Sequence, residues 1–319
     1  METSKLVDNI LTFVKKHRIP LLVVAVFVFM SIVRPRFLSP INIFGLFEYM
    51  SGYGIAAVGL TFILLCGQLD ISIGSVMALS SCVFLLLAPA YGFFISFVIA
   101  LVTGAVLGSI TGFFVSFFRL SPFIVSMTMQ IAYRGVALTI TNSKPIQYTD
   151  PVIGAMSKIH LFHIPLVFFI FLIVVILSQF VMTRTKFGRN LYVIGGNIKV
   201  ADSIGINVRS HIWMVYIVQG FMAALSGIML MTRTFSASGN TAMDAPLAII
   251  PMVIVGGTVF SGGKGSALRT LYGVMLMSMV YNAMSMFSLY VNVQQLIRGV
   301  LLLLIIVSDK YMENKHSKI

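Results

Sequence analysis

Residue types capable of acid–base or metal chemistry are few in this sequence and lie far apart. Asp70 is the only acidic residue between Glu48 and Asp150, so this region has no pair of carboxylates for acid–base catalysis. His160 and His163 are three residues apart without a third ligand nearby, whereas a catalytic zinc ion needs three protein ligands. The residue pattern therefore predicts neither an enzyme nor a metal site.

The segment VGGTVFSGGKGS, residues 255–266, partly matches a phosphate-binding loop. Lys264 stands at the position of the loop lysine, but Thr258 replaces the first glycine and Gly265 replaces the magnesium-binding Ser or Thr. We interpret the segment as a glycine-rich helix break, and we expect this chain to bind no nucleotide or other cofactor. The candidate break residues here are Gly256, Gly257, Gly262 and Gly263.

A second candidate break, CGQLDISIGS at residues 66–75, separates two apolar runs. A carboxylate at bilayer depth costs about 2.5–3.5 kcal/mol, so Asp70 should be paired, cap a helix or face water. Two interpretations remain open: Asp70 or Ser72 caps the following helix, or one of them contacts a transported solute. The candidate pathway or break residues are Gly67, Gln68, Asp70, Ser72 and Gly74, together with Asn282 inside a later apolar run.

Residues 183–210 form a polar segment in the middle of the chain that is too polar to cross hydrocarbon. Its basic excess predicts a cytoplasmic location. A solvated loop that only sets topology is one interpretation. A docking element is favoured by its apolar residues and glycines, which suggest a short amphipathic turn between glycine hinges. The charged residues are Arg184, Lys186, Arg189, Lys199 and Arg209, with Asp202 as the one acid.

The composition is that of a polytopic membrane protein, because 58% of the 319 residues are hydrophobic and 10% are charged. A spanning helix needs about 20 residues, so the apolar part allows roughly ten crossings. The net charge of +13 is spread between apolar runs, which favours contact with anionic lipid over nucleic-acid binding. Cys66 and Cys82 lie in apolar runs and are expected to be buried thiols.

The apolar runs predict an all-α fold in a single transmembrane domain, residues 1–319. Ten helices are expected at about 19–33, 44–65, 73–87, 93–118, from 121 onward, and at 166–182, 212–231, 246–255, 268–287 and 293–307. An even number of crossings, with basic residues in both tails, predicts that both termini are cytoplasmic. We expect Ser39–Asn42 to be extended, Pro89 to end the third helix and Pro251 to interrupt the eighth.

Two groups of residues inside these helices invite interpretation. Gly104, Gly108 and Gly112 have the four-residue spacing of close helix packing in lipid. Gln130 and Arg134 either form a polar face toward a pathway or reach an interface by snorkelling.

The chain resembles the permease subunits of ribose-type ABC importers, in the branched-chain amino acid and sugar permease superfamily. The likeness covers nearly the whole chain and rests on three motifs in the same order. The first break is similar to a GGIDLSVGS-like pattern, residues 185–207 resemble TRxGRxxYAxGGNxxAAxxSGIN, and residues 255–265 resemble VxGGTxxxGGKG. The resemblance implies a type II ABC-importer-like fold in a bacterial plasma membrane.

The resemblance also implies partners. Residues 183–210 would form a coupling helix on a cytoplasmic ATPase subunit that binds ATP and magnesium. A second permease chain, identical or a paralogue, would complete the pore, and an extracytoplasmic binding protein would deliver a monosaccharide or similar solute. The implied coupling residues are Arg184, Phe187, Gly188, Arg189, Tyr192, Gly195, Gly196, Asn197 and Gly205.

The sequence departs from the family pattern before the glycine-rich break. Relatives have an acidic YELDAIAAV-like stretch, whereas Pro246 and Ala248 stand here at the acidic positions, and Gln68 also departs from the usual residue. These changes leave the solute open and suit pairing with a different permease chain. The alternatives are a nucleoside or branched-chain amino acid permease, a secondary transporter or channel, and an intramembrane enzyme.

Overall fold

The computed structural model describes residues 18–148, 152, 159–161 and 164–316, with only the backbone described for Arg18, His160 and residues 308–316. Within these residues the chain forms eleven α-helices, a 3₁₀-helix at Pro35–Leu38 and four two-residue strands. The helices are α1 (Arg18–Val33), α2 (Pro40–Leu65), α3 (Ile73–Ser116), α4 (Pro122–Ile140), α5 (Leu166–Arg184), α6 (Lys186–Gly196), α7 (Ile198–Ser203), α8 (Val208–Thr234), α9 (Ala245–Val255), α10 (Ala267–Met286) and α11 (Val291–His316).

The strands form two short antiparallel pairs outside the helices. β1 (Ile146–Gln147) pairs with β4 (Ser236–Ala237), and β2 (His160–Leu161) pairs with β3 (Ile164–Pro165). Since helices account for most of the described residues, the predicted all-α class is confirmed.

Five helices, α2, α3, α4, α5 and α8, are long and apolar enough to cross a membrane by length and composition. Shorter apolar stretches occur at Ile19–Val33, Ala245–Val255 and Val291–Val307. α3 has 44 residues and would be about 66 Å long if straight, more than twice the hydrocarbon thickness of about 30 Å. With α10, and with α3 divided into two arms, ten helical segments of the described residues correspond in position to the ten predicted helices, but the number of crossings stays a prediction.

α3 is divided at Gly92, where φ is 72° and ψ is 175°. Its first arm runs parallel to α8. The Tyr216 hydroxyl of α8 donates a hydrogen bond of 2.9 Å to the Leu69 carbonyl just before α3, and Gly227, further along α8, lies against the backbone of Met77. The two helices therefore advance in the same direction along this contact.

The second arm of α3 runs antiparallel to α8. Gly112 lies against Tyr216, whereas Gly104 lies against Gly220, further along α8. A Cβ atom on Gly104 or Gly108 would overlap α8 backbone atoms, so these glycines permit close contact between the helices. This confirms the predicted packing role, and the opposite directions of the two arms make α3 a helical hairpin.

The turn of this hairpin corrects the prediction for Pro89. The helix continues through Pro89 and breaks at Gly92 instead. Transmembrane helices tolerate proline when neighbouring groups satisfy the freed backbone, whereas a positive φ strongly favours glycine.

Two other predictions about proline are wrong. Of Ser39–Asn42 only Ser39 is extended, because Pro40 already begins α2, where the φ of proline is helical and its missing N–H loses no bond. Pro251 does not interrupt α9, which runs from Ala245 to Val255 with Pro251 buried inside it. Only the Leu247 carbonyl loses its helical partner there, one turn from the start of α9.

α9 is a half-helix. Its 11 residues extend about 16 Å, roughly half of the hydrocarbon thickness. A Cβ atom on Gly256, at the C-terminal end of α9, would lie 2.6 Å from the Arg269 carbonyl of α10. At the other end, a Cβ on Gly74 would lie 3.4 Å from both Ala245 and Pro246. The N-terminal ends of α3 and α9 therefore meet inside the bundle, which agrees with the predicted broken helices.

Arg134 lies in α4, and its guanidinium donates a hydrogen bond to the Gly239 carbonyl in the connection between α8 and α9. Gln130 is half-buried one turn away. Arg134 therefore holds the connection between β4 and α9 rather than snorkelling alone.

Several predictions lie outside the described residues. These are the basic N-terminal tail, the side chains of His160 and His163, and the side chains of the basic C-terminal tail. The helical backbone of α11 extends through this tail to His316, beyond the predicted end near residue 307.

Candidate coupling site at the glycine breaks

The middle segment folds into α6 and α7 rather than a short turn between glycine hinges. Thr185 caps α6, since its hydroxyl accepts a hydrogen bond of 3.0 Å from the Gly188 amide. Gly188 is not a hinge but lies inside α6, where a Cβ atom would overlap the backbone of Val181 and Met182 in α5. This contact fixes α6 against the end of α5.

α6 buries one face and exposes the other. Leu191 and Ile194 are fully buried, Phe187 stacks on His211 with ring centroids 5.5 Å apart, and Arg184 and Arg189 are exposed. An amphipathic helix outside the spanning helices presents its polar face to solvent or to a partner. The other predicted coupling residues lie beyond this face: Asn197 caps α7, and Gly205 has a φ of 81° after α7.

The C-terminal end of α6 meets both predicted breaks. A Cβ atom on Gly195 would overlap the Leu65 carbonyl at the end of α2 and the Gly263 amide. The Gly263 amide donates a hydrogen bond of 3.0 Å to the same Leu65 carbonyl, and the Cβ of a residue replacing Gly262 would lie 3.0 Å from Gly195. Gly67 lies against Ser261. We call Leu65, Gly67, Gly195, Gly262 and Gly263 the glycine joint.

Backbone conformation as well as space requires glycine in this joint. Gly67, Gly262 and Gly263 have φ values of 68°, 94° and 72°, in the left-handed region that disfavours side chains. Gly257 also has a positive φ, of 98°, whereas Gly256 is helical and packs on α10. The second break is thus bent by three glycines, Gly257, Gly262 and Gly263, and a fourth, Gly256, permits its close contact with α10.

A side-chain hydrogen bond ties α6 to the second break. The Tyr192 hydroxyl donates to the Gly265 carbonyl at 3.0 Å. Burial raises the pKa of Tyr192, while Arg269 acts in the opposite direction, so the phenol stays protonated and can donate. Rigid movement of α6 must therefore displace the break or break this bond.

Asp70 hydrogen-bonds Ser72, the residue at the N-cap position of α3, in the first break. Its carboxylate accepts hydrogen bonds from the Ser72 amide at 2.8 Å and the Ser72 hydroxyl at 2.6 Å. Asp70 is 3% exposed, so its carboxylate is buried together with these two donors. This geometry favours the capping interpretation over direct solute contact.

Of the other predicted pathway residues, Asn282 and Gly74 lie away from the joint, whereas Gln68 follows the joint residue Gly67. Asn282 forms a reciprocal amide pair with Asn42 of α2, with N···O distances of 2.7 and 3.3 Å. Gly74 and the family-departing Pro246 and Ala248 lie together where the N-terminal ends of α3 and α9 meet. Gly67 and Gln68 line a cleft of about 980 Å³, and Gly67, Gly195 and Gly196 also line a smaller one of about 440 Å³.

Sequence reasoning missed Leu65, Asn42 and Tyr216. Leu65 contributes a backbone carbonyl, for which no side-chain signal exists. Asn42 and Tyr216 could have been predicted to form hydrogen bonds, because each is a polar residue within or beside an apolar run, where polar groups usually pair. Among the described residues, no group of three or more His, Cys, Asp or Glu is placed to hold a metal ion.

These features define a class of protein: a polytopic helical bundle with broken helices and an external amphipathic helix tied to both breaks. The chain belongs to the family described as "Branched-chain amino acid transport system / permease component", whose model matches residues 42–306. It is thus the permease component of a transport system and not an enzyme.

Curated relatives match over most of their length. The chain is 32% identical to a ribose import permease protein of Bacillus subtilis (strain 168), covering 89% of each chain. It is 30% identical to a ribose import permease protein of Escherichia coli (strain K12), over 92% of this chain and 93% of the relative. It is 26% identical to an L-arabinose ABC transporter permease protein of Azospirillum brasilense, over 95% and 89%. No solved structure matches the chain.

Proposed function

We propose that the chain is the transmembrane subunit of an ATP-driven importer for a monosaccharide or a similar small polar solute. The names of the relatives support a sugar, since they refer to ribose and L-arabinose. The single observation that supports coupling most strongly is the contact of α6 with both helix breaks through the glycine joint.

The proposal includes partners and an orientation. α6 docks on a cytoplasmic ATPase subunit that binds ATP and magnesium, and both termini lie on the same side in a bacterial plasma membrane. A second permease chain and an extracytoplasmic binding protein complete the importer. The exposed Arg184 and Arg189 beside buried Leu191 and Ile194 support a docking role for α6.

Coupling then follows from the contacts of α6. When the ATPase subunits close, they displace α6, and the hydrogen bond from Tyr192 to Gly265 transmits the displacement to the second break. The contact of Gly195 with Leu65 transmits it to the end of α2 and the first break. Both breaks move together, as rocking of the helices between two access states requires.

Uptake by purified transporter in proteoliposomes tests this proposal. With ATP on the α6 side, we expect uptake from a panel of labelled ribose, arabinose, allose and leucine to be limited to sugars. Arg189→Glu reverses charge on the exposed face of α6 and should abolish uptake without unfolding, because within the described part of the chain the Arg189 side chain hydrogen-bonds only the Arg184 carbonyl. Lys144→Glu, an exposed change far from α6, is the control. Uptake without ATP or with Arg189→Glu would refute ATP coupling, and uptake of leucine alone would favour an amino acid permease.

A further inference from the structure

The cleft of about 980 Å³ at the α6 end of the bundle adjoins the glycine joint, since Gly67 belongs to both. It opens between the first break, the link from α3 to α4, and the segment from α7 to the start of α8. Its lining residues include Gln68, Ser116, Arg119, Lys199, Asp202 and Arg209.

The charge of this cleft is positive. Arg119, Lys199 and Arg209 contribute three cations, and Asp202 is the only acid among the lining residues. Among the described residues, none of these four forms an ion pair. α4 also begins at the cleft, since Ser121 and Pro122 line it, and Ser121 provides no side-chain cap. The N-terminal end of a helix adds partial positive charge and free amides.

A second, independent feature indicates a ligand. Ser116 lines the cleft and is 3% exposed, and its hydroxyl has no hydrogen-bond partner among the described residues. A buried hydroxyl without a partner is unfavourable, so an acceptor from a ligand would satisfy it. A ligand with several negatively charged acceptor oxygens fits both the hydroxyl and the cations.

Apolar side chains are exposed beside this charge. Phe118 and Leu120 flank Arg119 and are 60% and 48% exposed, and Ile124 in the first turn of α4 is 64% exposed. Phosphate oxygens next to exposed apolar surface match the headgroup and acyl chains of a phospholipid. We propose that this cleft binds a phosphate group, with an anionic phospholipid as its source.

Two matched pairs of variants test the proposal in the purified transporter complex. Ser116→Ala and Ser96→Ala each remove a buried hydroxyl without a partner from the second arm of α3, but only Ser116 lines the cleft. Arg119→Gln and Arg36→Gln each remove one exposed cation, and only Arg119 lines the cleft. Binding is titrated with dioleoyl phosphatidylglycerol by native mass spectrometry, with phosphatidylcholine as background, and with inorganic phosphate by thermal shift.

We expect Arg119→Gln to weaken phosphatidylglycerol binding about tenfold and Ser116→Ala about fivefold, with Ser96→Ala and Arg36→Gln unchanged. The same variant pattern with inorganic phosphate alone would support the phosphate site and assign it to the free ion. Equal effects in both members of a pair, or no binding of either probe, would overturn the proposal. Loss of the ATPase subunit in Arg119→Gln with lipid binding intact would also overturn it, because the cleft would then be a protein interface. Since no readout uses transport, failure here is separate from failure of the importer function.

Discussion

Gly195→Ala is expected to disrupt the glycine joint, whereas Gly196→Ala, one residue further along α6, is not. A Cβ atom on Gly195 would overlap the Leu65 carbonyl and the Gly263 amide, so one of these backbone segments must move by about 1 Å. A Cβ on Gly196 meets nothing within 4 Å. The two variants thus make the same chemical change in the same helix turn with opposite consequences for packing.

Two opposing free-energy terms set the size of the difference expected between Gly195→Ala and Gly196→Ala. Replacing a helical glycine by alanine favours the helix by up to about 1 kcal/mol, and this gain is common to both variants. Overpacking costs about 1–3 kcal/mol and applies to Gly195→Ala alone. If this cost falls on the state in which α6 contacts both breaks, the population of that state drops about 5–150-fold relative to Gly196→Ala.

Two measurements check this prediction. ATP-driven sugar uptake in proteoliposomes should fall at least fivefold in Gly195→Ala and stay within twofold of wild type in Gly196→Ala. The midpoint of unfolding in detergent should be lower for Gly195→Ala than for Gly196→Ala. Equal uptake and equal midpoints in the two variants would refute the close contact between α6, Leu65 and Gly263.

Three further perturbations have defined outcomes. Asp70→Ala leaves the buried Ser72 amide without its acceptor and should lower the free energy of unfolding by about 1–3 kcal/mol. Asp70→Asn keeps one acceptor oxygen and should lower the free energy of unfolding by less. Equal loss of unfolding free energy in the two variants, measured by denaturation, would contradict capping. Gly108→Ala should destabilise the α3–α8 contact and Gly135→Ala, with open space, should not, as thermal melts would report. Single Asn42→Ala and Asn282→Ala variants should show a coupling of about 0.6 kcal/mol in a double-mutant cycle, and purely additive effects would argue against their amide pair.

Local sequence signals predicted the helices well, because apolar runs of spanning length are set by the thickness of the bilayer. They were less reliable at prolines. Pro40 begins α2, where its missing amide loses no bond, and Pro251 lies in the second turn of α9, where it frees the Leu247 carbonyl. The hairpin turn fell at Gly92 and not at Pro89, because backbone with positive φ, rather than a missing amide, reverses the chain there.

The sequence could not predict which segments that are distant along the chain contact one another. Gly67, Gly195 and Gly263 lie far apart along the chain, and periodicity carries no information on which breaks touch. Even with the two breaks and the middle segment identified, their meeting depends on a backbone carbonyl, that of Leu65, which has no sequence signature. The same holds for the cleft, whose cations come from two segments far apart in the chain: the link from α3 to α4, and the stretch from α7 to the start of α8.

α9 connects the glycine joint, where α6 makes its contact, to the interior of the bundle. One end of this half-helix leads into the break that bonds Tyr192 and Leu65, and its other end contacts Gly74 at the start of α3. In the proposed coupling, displacement at the joint would be carried along α9, about 16 Å, to the meeting of α3 and α9. Pro246 lies at that meeting, where proline removes one amide. In this scheme Pro246 stands at the end of α9 that receives the movement, and the glycine joint stands at the end where the movement enters.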